Sequence, residues 1–214
     1  MKKISVSFLS SDNEQKDLIK INQSNADYIH VDVMDGRFVR KRKNPFKILS
    51  KMSNVLSKRL DVHLMDKNPL KNINYYAALN TEYITVHAEL EKLEKYLDLI
   101  KEYGIKCGVA INPETDISIL LPYLSKIDLI LVMSVNPGMG GQEFIDDTIK
   151  KILKIKKMIV SQKLKIKISV DGGINDEIAK RLDFVDIIVS GSYIINSDDF
   201  NEKIALLRKN ADKK

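Results

Sequence analysis

Short β-branched, apolar runs alternate with longer amphipathic runs along this chain, and the alternation repeats eight times. The strand segments are Ile4–Phe8, Tyr28–Val33, Arg59–Met65, Tyr83–His87, Lys106–Ile111, Leu129–Ser134, Lys167–Val170 and Ile187–Ser190. The helical segments between them are Asn13–Asn22, Pro45–Met52, Pro69–Leu79, Glu91–Tyr103, Ile117–Leu124, Gln142–Val160, Asn175–Leu182 and Asp198–Leu207. Pro45 and Pro69 suit a first helical turn. Gly104 reads as a C-cap, and Pro122 predicts a distorted helix. Gln142–Val160 is the clearest helix, with Ile145, Ile149, Ile152 and Ile155 as its apolar stripe. Strand–helix alternation implies a parallel sheet. Eight units in 214 residues, about 27 residues each, favour a compact closed (β/α)8 TIM barrel over an open doubly wound sheet. No linker divides the chain, so 1–214 reads as a single domain.

Composition narrows the class. No apolar run approaches the roughly 20 residues of a membrane span, so no membrane partner is expected. The start, Met1-Lys2-Lys3 followed by a serine-broken apolar stretch ending at Asp12, reads as a mature cytoplasmic start. A single cysteine, Cys107, excludes an intrachain disulfide and fits a reducing compartment. The net charge of +6 is spread along the chain and mixed with acids. The one dense run, Arg40-Lys41-Arg42-Lys43, lacks interleaved aromatics, so no nucleic-acid partner is expected.

Barrel chemistry sits at the C-terminal ends of strands and in the loops after them. The second strand segment carries His30 and Asp32, two apart and therefore on one side. The third carries His63, and the seventh runs into Asp171-Gly172-Gly173. All three histidines of the chain, His87 included, lie near strand ends. Buried imidazoles and carboxylates cost free energy unless paired. Taken singly, each histidine reads as a hydrogen-bonded core residue. Together, His30, Asp32, His63 and Asp171 suit one divalent transition metal: zinc, iron, manganese or cobalt.

Three consecutive glycine-bearing turns follow the sixth, seventh and eighth strand segments: Asn136-Pro137-Gly138-Met139-Gly140-Gly141, Asp171-Gly172-Gly173 and Ser190-Gly191-Ser192. Glycine lets backbone amides approach a ligand, and barrels commonly bind phosphate after strands seven and eight. Met34, Met65 and Met133 at strand ends, with Met139 in the glycine loop, read either as core filling or as an apolar wall around a reacting carbon.

These segments resemble the ribulose-phosphate 3-epimerase family. The matching stretches are Ser7–Asp12, Ile29–Gly36, Asp61–Met65, Val86–Glu89, Gly108–Pro113, Leu131–Gln142, Val170–Gly173 and Val189–Ser192, collinear from residue 7 to 192. The resemblance implies a homo-oligomeric (β/α)8 enzyme interconverting D-ribulose 5-phosphate and D-xylulose 5-phosphate, a step of the pentose phosphate pathway. It implies that His30, Asp32, His63 and Asp171 ligate the metal, and that Asp32 and Asp171 double as the catalytic acid/base pair. Ser7 would bond near the substrate's reacting end, where His63 and Asp171 also touch it. Gly138, Met139, Gly140, Gly141, Gly172, Gly173, Gly191 and Ser192 would hold the phosphate of a small ketose phosphate. His87 matches a position that is not a usual ligand and is read as supporting or structural. The chain departs from the family pattern at Arg40–Lys43, where Pro-Asn is usual, at Asp66, where an apolar residue is usual, and at Met139, where phenylalanine is commoner.

Epimerisation beside a ketone removes a proton from one face and returns one to the other, which two opposed carboxylates can do through a cis-enediolate. Six-carbon ketose phosphates are the nearest rival substrates. Related barrels with decarboxylase or aldol chemistry resemble Asp-x-Lys-x-x-Asp on the third strand. Here His63 stands where that lysine would be, which favours epimerisation. An RNA-binding protein without catalysis is the rival from another class, and the four intact ligands argue against it.

Overall fold

A computed structural model describes residues 1–212. The last two residues of the expected 1–214 domain lie outside the described residues. Eight strands form the wall: β1 (Lys3–Ser7), β2 (Tyr28–Asp35), β3 (Arg59–Met65), β4 (Thr81–His87), β5 (Lys106–Ile111), β6 (Leu129–Met133), β7 (Lys167–Asp171) and β8 (Ile187–Ser190). Each pairs in parallel with its neighbours in sequence, and β1 also pairs with β8, so the sheet closes. The (β/α)8 TIM barrel expected from the alternation is what forms. A two-residue strand, Arg42–Lys43, adds antiparallel to the end of β2.

The helices are α1 (Glu14–Gln23), α2 (Phe46–Lys51), α3 (Leu70–Ala77), α4 (Leu93–Glu102), α5 (Asp147–Ser161), α6 (Asp176–Ala179), α7 (Ser192–Ile195) and α8 (Phe200–Ala211). Their ends follow local chemistry. Asn13 caps α1 by accepting the Lys16 N–H, and Asp199 caps α8. Pro45 and Pro69 stand just before α2 and α3, one position ahead of the expected first turn, with their carbonyls accepting the first helical N–H groups. Gly104 ends α4 at φ +69°. Ile117–Tyr123, which contains Pro122, winds as a 3₁₀ helix, the distortion its proline implied.

The largest departure is α5, which begins five residues later than the apolar stripe suggests. Residues 142–146 remain with the barrel mouth instead. The Ile145 N–H bonds the Ser134 carbonyl (2.8 Å), and the Gln142 side chain donates to the carbonyls of Asn136 (2.7 Å) and Met139 (2.9 Å). The buried stripe of α5 is therefore Thr148, Ile152, Ile155 and Ile159. Each isoleucine so buried stabilises the fold by about 1.5–3 kcal/mol relative to exposure.

Among the described residues, no helix is long and apolar enough to cross a membrane. Cys107 is fully buried in β5, and burial pushes its thiol up to about 12. Native protein at pH 8 should therefore give no reaction with a soluble disulfide reagent, and denatured protein should give one thiol per chain.

Candidate active site at the barrel mouth

Parallel register brings the singled-out residues to one level. His30 pairs with Asp61 across β2 and β3, Asp32 pairs with His63, and Met133 pairs with Asp171 across β6 and β7. His30, Asp32, His63 and Asp171 each offer one ligand atom, and these four atoms lie within 4.8 Å of one another. His30 Nε2 stands 3.5 Å from Asp32 Oδ1 and 3.7 Å from Asp171 Oδ2. His63 Nδ1 stands 3.4 Å from Asp32 Oδ1 and 3.9 Å from Asp171 Oδ2.

Neither His30 Nε2 nor His63 Nδ1 makes a hydrogen bond, although both are buried. Buried polar atoms are rarely left so, because desolvation without a partner costs about 1–3 kcal/mol. Donors about 2.0–2.2 Å from one tetrahedral ion stand about 3.4 Å apart. The spacing and the orphaned nitrogens both fit a divalent cation, and imidazole with carboxylate is a donor set for a transition metal.

The opposite sides of these side chains are tied down. His30 Nδ1 donates to Asp61 Oδ2 (2.9 Å), which also accepts from the Ser5 hydroxyl (2.8 Å). Ser7 donates to Asp32 Oδ2 (2.8 Å). Asp61 was not singled out in the sequence, although Asp61, His63 and Met65 share one face of β3 by two-residue periodicity.

Charge follows this packing. Burial opposes the charged form of His30, but the carboxylates of Asp32 and Asp61 outweigh it and raise His30 well above the usual imidazole range. Burial likewise opposes the Asp32 carboxylate, yet His30 and His63 hold it far below the ordinary range. Asp171 is pushed up to about 7, first by burial, with His30 opposing and Asp32 and Asp61 reinforcing. Two carboxylates at one site are thus driven apart, as in acid/base pairs generally.

Above this cluster opens a cavity of ≈ 370 Å³, within the range of small-molecule sites. Ser7, Asp32, Asp171, Gly138, Met139, Gly140, Gly141, Gly172, Gly173, Gly191 and Ser192 all line it. Met65 and Met133 do too, whereas Met34 is buried and does not. His30 and His63 lie fully buried and are not part of the lining. Asn175, Tyr193 and Asn196, which no sequence motif marks, also line the cavity, and an equally unmarked helix, α7, begins at Ser192 directly after Gly191.

The glycine turns are close-packed. Ser134 Oγ lies 2.8 Å and 2.7 Å from the carbonyls of Asp171 and Gly172. Gly173 has φ +64°, and a Cβ there would meet the Phe144 backbone nitrogen at 2.5 Å. Gly173→Ala should therefore displace the 142–144 segment. We expect a loss of about 1–3 kcal/mol in stability and a rise in KM larger than any fall in kcat, read by melting and steady-state kinetics.

The sequence matches the Ribulose-phosphate 3 epimerase family over residues 3–195. It is 41% identical over 202 residues to "Ribulose-phosphate 3-epimerase" of Helicobacter pylori (strain J99), covering 92% of each chain. It is 37% identical to the protein of that name from Bacillus subtilis (strain 168), covering 97% of this chain and 99% of the other. Among solved structures, KGPDC from Streptococcus mutans superposes with a TM-score of 0.74 at 11% identity, over 99% of this chain and 98% of that one, a likeness of fold. Relatives sharing more than a third of their residues over nearly their full lengths, and a family match running from β1 to α7, make the chain a member of the ribulose-phosphate 3-epimerase family, whose chemistry is that of an isomerase.

Proposed function

We propose that this chain interconverts D-ribulose 5-phosphate and D-xylulose 5-phosphate, with Asp32 and Asp171 as the acid/base pair at a centre for one divalent metal. The observation that carries this reading is the pair of buried, unpartnered nitrogens, His30 Nε2 and His63 Nδ1, facing Asp32 and Asp171. A divalent ion held by His30, Asp32, His63 and Asp171 supplies Lewis-acid stabilisation for the negative charge that develops on substrate oxygens.

The remaining work falls to the chain. Asp32 comes from β2 and Asp171 from β7, well-separated staves of the wall. Both carboxylates line the cavity, and they suit removal of the C3 proton from one face and its return on the other through a cis-enediolate. Ser7, bonded to Asp32, orients that carboxylate. Met65 and Met133 keep the reacting carbon against apolar surface and limit water. Gly138–Gly141, Gly172, Gly173, Gly191 and Ser192 form the phosphate end.

The basic run gains a role here. Val39 packs over Gly138, and Lys43 reaches the Leu9 carbonyl (3.2 Å), so residues 37–43 border the mouth. Among the described residues, Arg37, Arg40, Lys41 and Arg42 enter no ion pair. Free cations there favour an anionic substrate by steering its approach. Closure of the barrel between β1 and β8, from opposite ends of the chain, supports reading it as one domain. A homo-oligomer working in the cytoplasm completes the proposal.

The test is anaerobic purification, elemental analysis and assay on ribulose 5-phosphate beside a six-carbon ketose phosphate. We expect about one transition-metal ion per chain and faster turnover of the pentose. A metal-free protein that stays inactive after reloading would end this reading, and a preference for the six-carbon substrate would replace the pentose.

A further inference from the structure

His63 Nδ1 faces the metal cluster, and its other nitrogen does not face solvent. Nε2 lies 2.9 Å from Nε2 of His87 on β4, with ring centroids 5.0 Å apart. Both rings are fully buried, and Phe38 packs against His87 at 4.4 Å between ring centroids. His87 Nδ1 in turn lies 3.1 Å from Glu89 Oε2. The other Glu89 oxygen, Oε1, accepts the Asn112 N–H (3.0 Å) and the Thr115 hydroxyl (2.6 Å), both from the loop after β5.

Two imidazole nitrogens at hydrogen-bond distance need one donor and one acceptor. An ionised carboxylate only accepts, so His87 Nδ1 must donate to Glu89. A neutral His87 then presents a lone pair at Nε2. His63 Nε2 must carry the proton that fills this bond, which leaves His63 Nδ1 bare toward the cluster. The donations converge on Glu89, from His63 through His87 on one side and from the loop after β5 on the other.

We propose that Glu89 and His87 are positioning residues that fix the tautomer of His63, so that its Nδ1 is always the ligand atom. This rests on the metal centre proposed above. It also accounts for a buried histidine that is not itself in the ligand cluster, and for a carboxylate held against that histidine by two donors, the Asn112 N–H and the Thr115 hydroxyl.

Glu89→Gln is the informative change because it is nearly isosteric and reverses the relay. The backbone N–H of Asn112 is a fixed donor, so the amide oxygen stays where Oε1 was. The amide NH₂ then points at His87 Nδ1 and donates. His87 becomes protonated at Nε2 and donates to His63 Nε2, which pushes the His63 proton onto Nδ1, in the place of the metal.

Zinc affinity should be measured by competition with a chromophoric chelator in wild type and Glu89→Gln, with folding checked by melting. Partners that orient a ligating histidine typically contribute 10–100-fold in metal affinity, so the variant should bind zinc about 10–100-fold more weakly. Nitrogen-15 spectra of the zinc-loaded wild type should place the His87 proton on Nδ1, a readout that needs no variant. Equal zinc affinity in a folded Glu89→Gln protein, or a wild-type His87 proton on Nε2, would overturn the relay. A wild-type protein with no zinc affinity would instead remove the metal centre itself, and the relay with it.

Discussion

Asp171→Asn should lower turnover by about 10³–10⁴-fold, toward the upper end of what a positioned acid/base group supplies, in a protein that still folds. Asp171 sits at the end of β7, lines the cavity and faces His30 and His63. Asparagine keeps the shape but can neither take nor return a proton. Hydrogen–deuterium exchange at C3 gives a sharper signature. If each carboxylate serves one face, the variant should retain exchange for only one of the two epimers, through Asp32, while interconversion is lost. Turnover within about tenfold of wild type would contradict the two-carboxylate assignment.

The same substitution carries a stability consequence of the opposite sign. In the metal-free protein, burial pushes Asp171 up to about 7, above its ordinary value of 3.8. Between those values the folded chain binds more protons than the unfolded chain, so this residue makes stability fall as pH rises from about 4 to about 7. Asparagine is neutral throughout. Metal-free Asp171→Asn should therefore melt above metal-free wild type at pH 8, and the gap should close as the pH approaches 4. An active-site carboxylate that weakens its own fold is a familiar cost of function.

Metal uptake should release at least one proton per ion at pH 7, and affinity should climb with pH. His30 is held well above the usual imidazole range by Asp32 and Asp61, against the opposing effect of burial. Near neutrality the metal-free site therefore keeps a proton on the nitrogen the ion needs. Asp171, at about 7, gives up part of another. A ligand that competes with one proton gains about tenfold in affinity per pH unit until that proton is lost. Calorimetry in buffers of different ionisation enthalpy counts the protons, and chelator competition at pH 6, 7 and 8 gives the slope. Stripping the ion should abolish turnover, and reloading should restore it. An affinity flat with pH and no proton release would contradict the His30–carboxylate arrangement.

Much of the fold is legible in the sequence. Three strands, Arg59–Met65, Lys106–Ile111 and Ile187–Ser190, have the ends their patterns predicted, because apolar β-branched runs bounded by polar residues have few alternatives. The start of α5 was not legible. Ile145 and Ile149 satisfy a helical period, yet residues 142–146 are held by bonds to Ser134, Asn136 and Met139, partners up to eleven residues away whose pull no local pattern records. The short helix α7 is not legible for a related reason, since four residues carry too little periodicity.

The sequence by itself determined which residues stand as candidates for the chemistry. His30 and Asp32 share a face by two-residue alternation, His63 and Asp171 stand near strand ends, and glycines mark three successive turns. Tertiary structure alone decided which atoms of those residues are free. Asp61 and Ser5 occupy one side of His30, and His87 and Glu89 occupy one side of His63, leaving a single nitrogen of each toward Asp32 and Asp171. Strand register sets those partners, and a hydrogen bond across strands depends on positions in space that spacing along one strand does not contain.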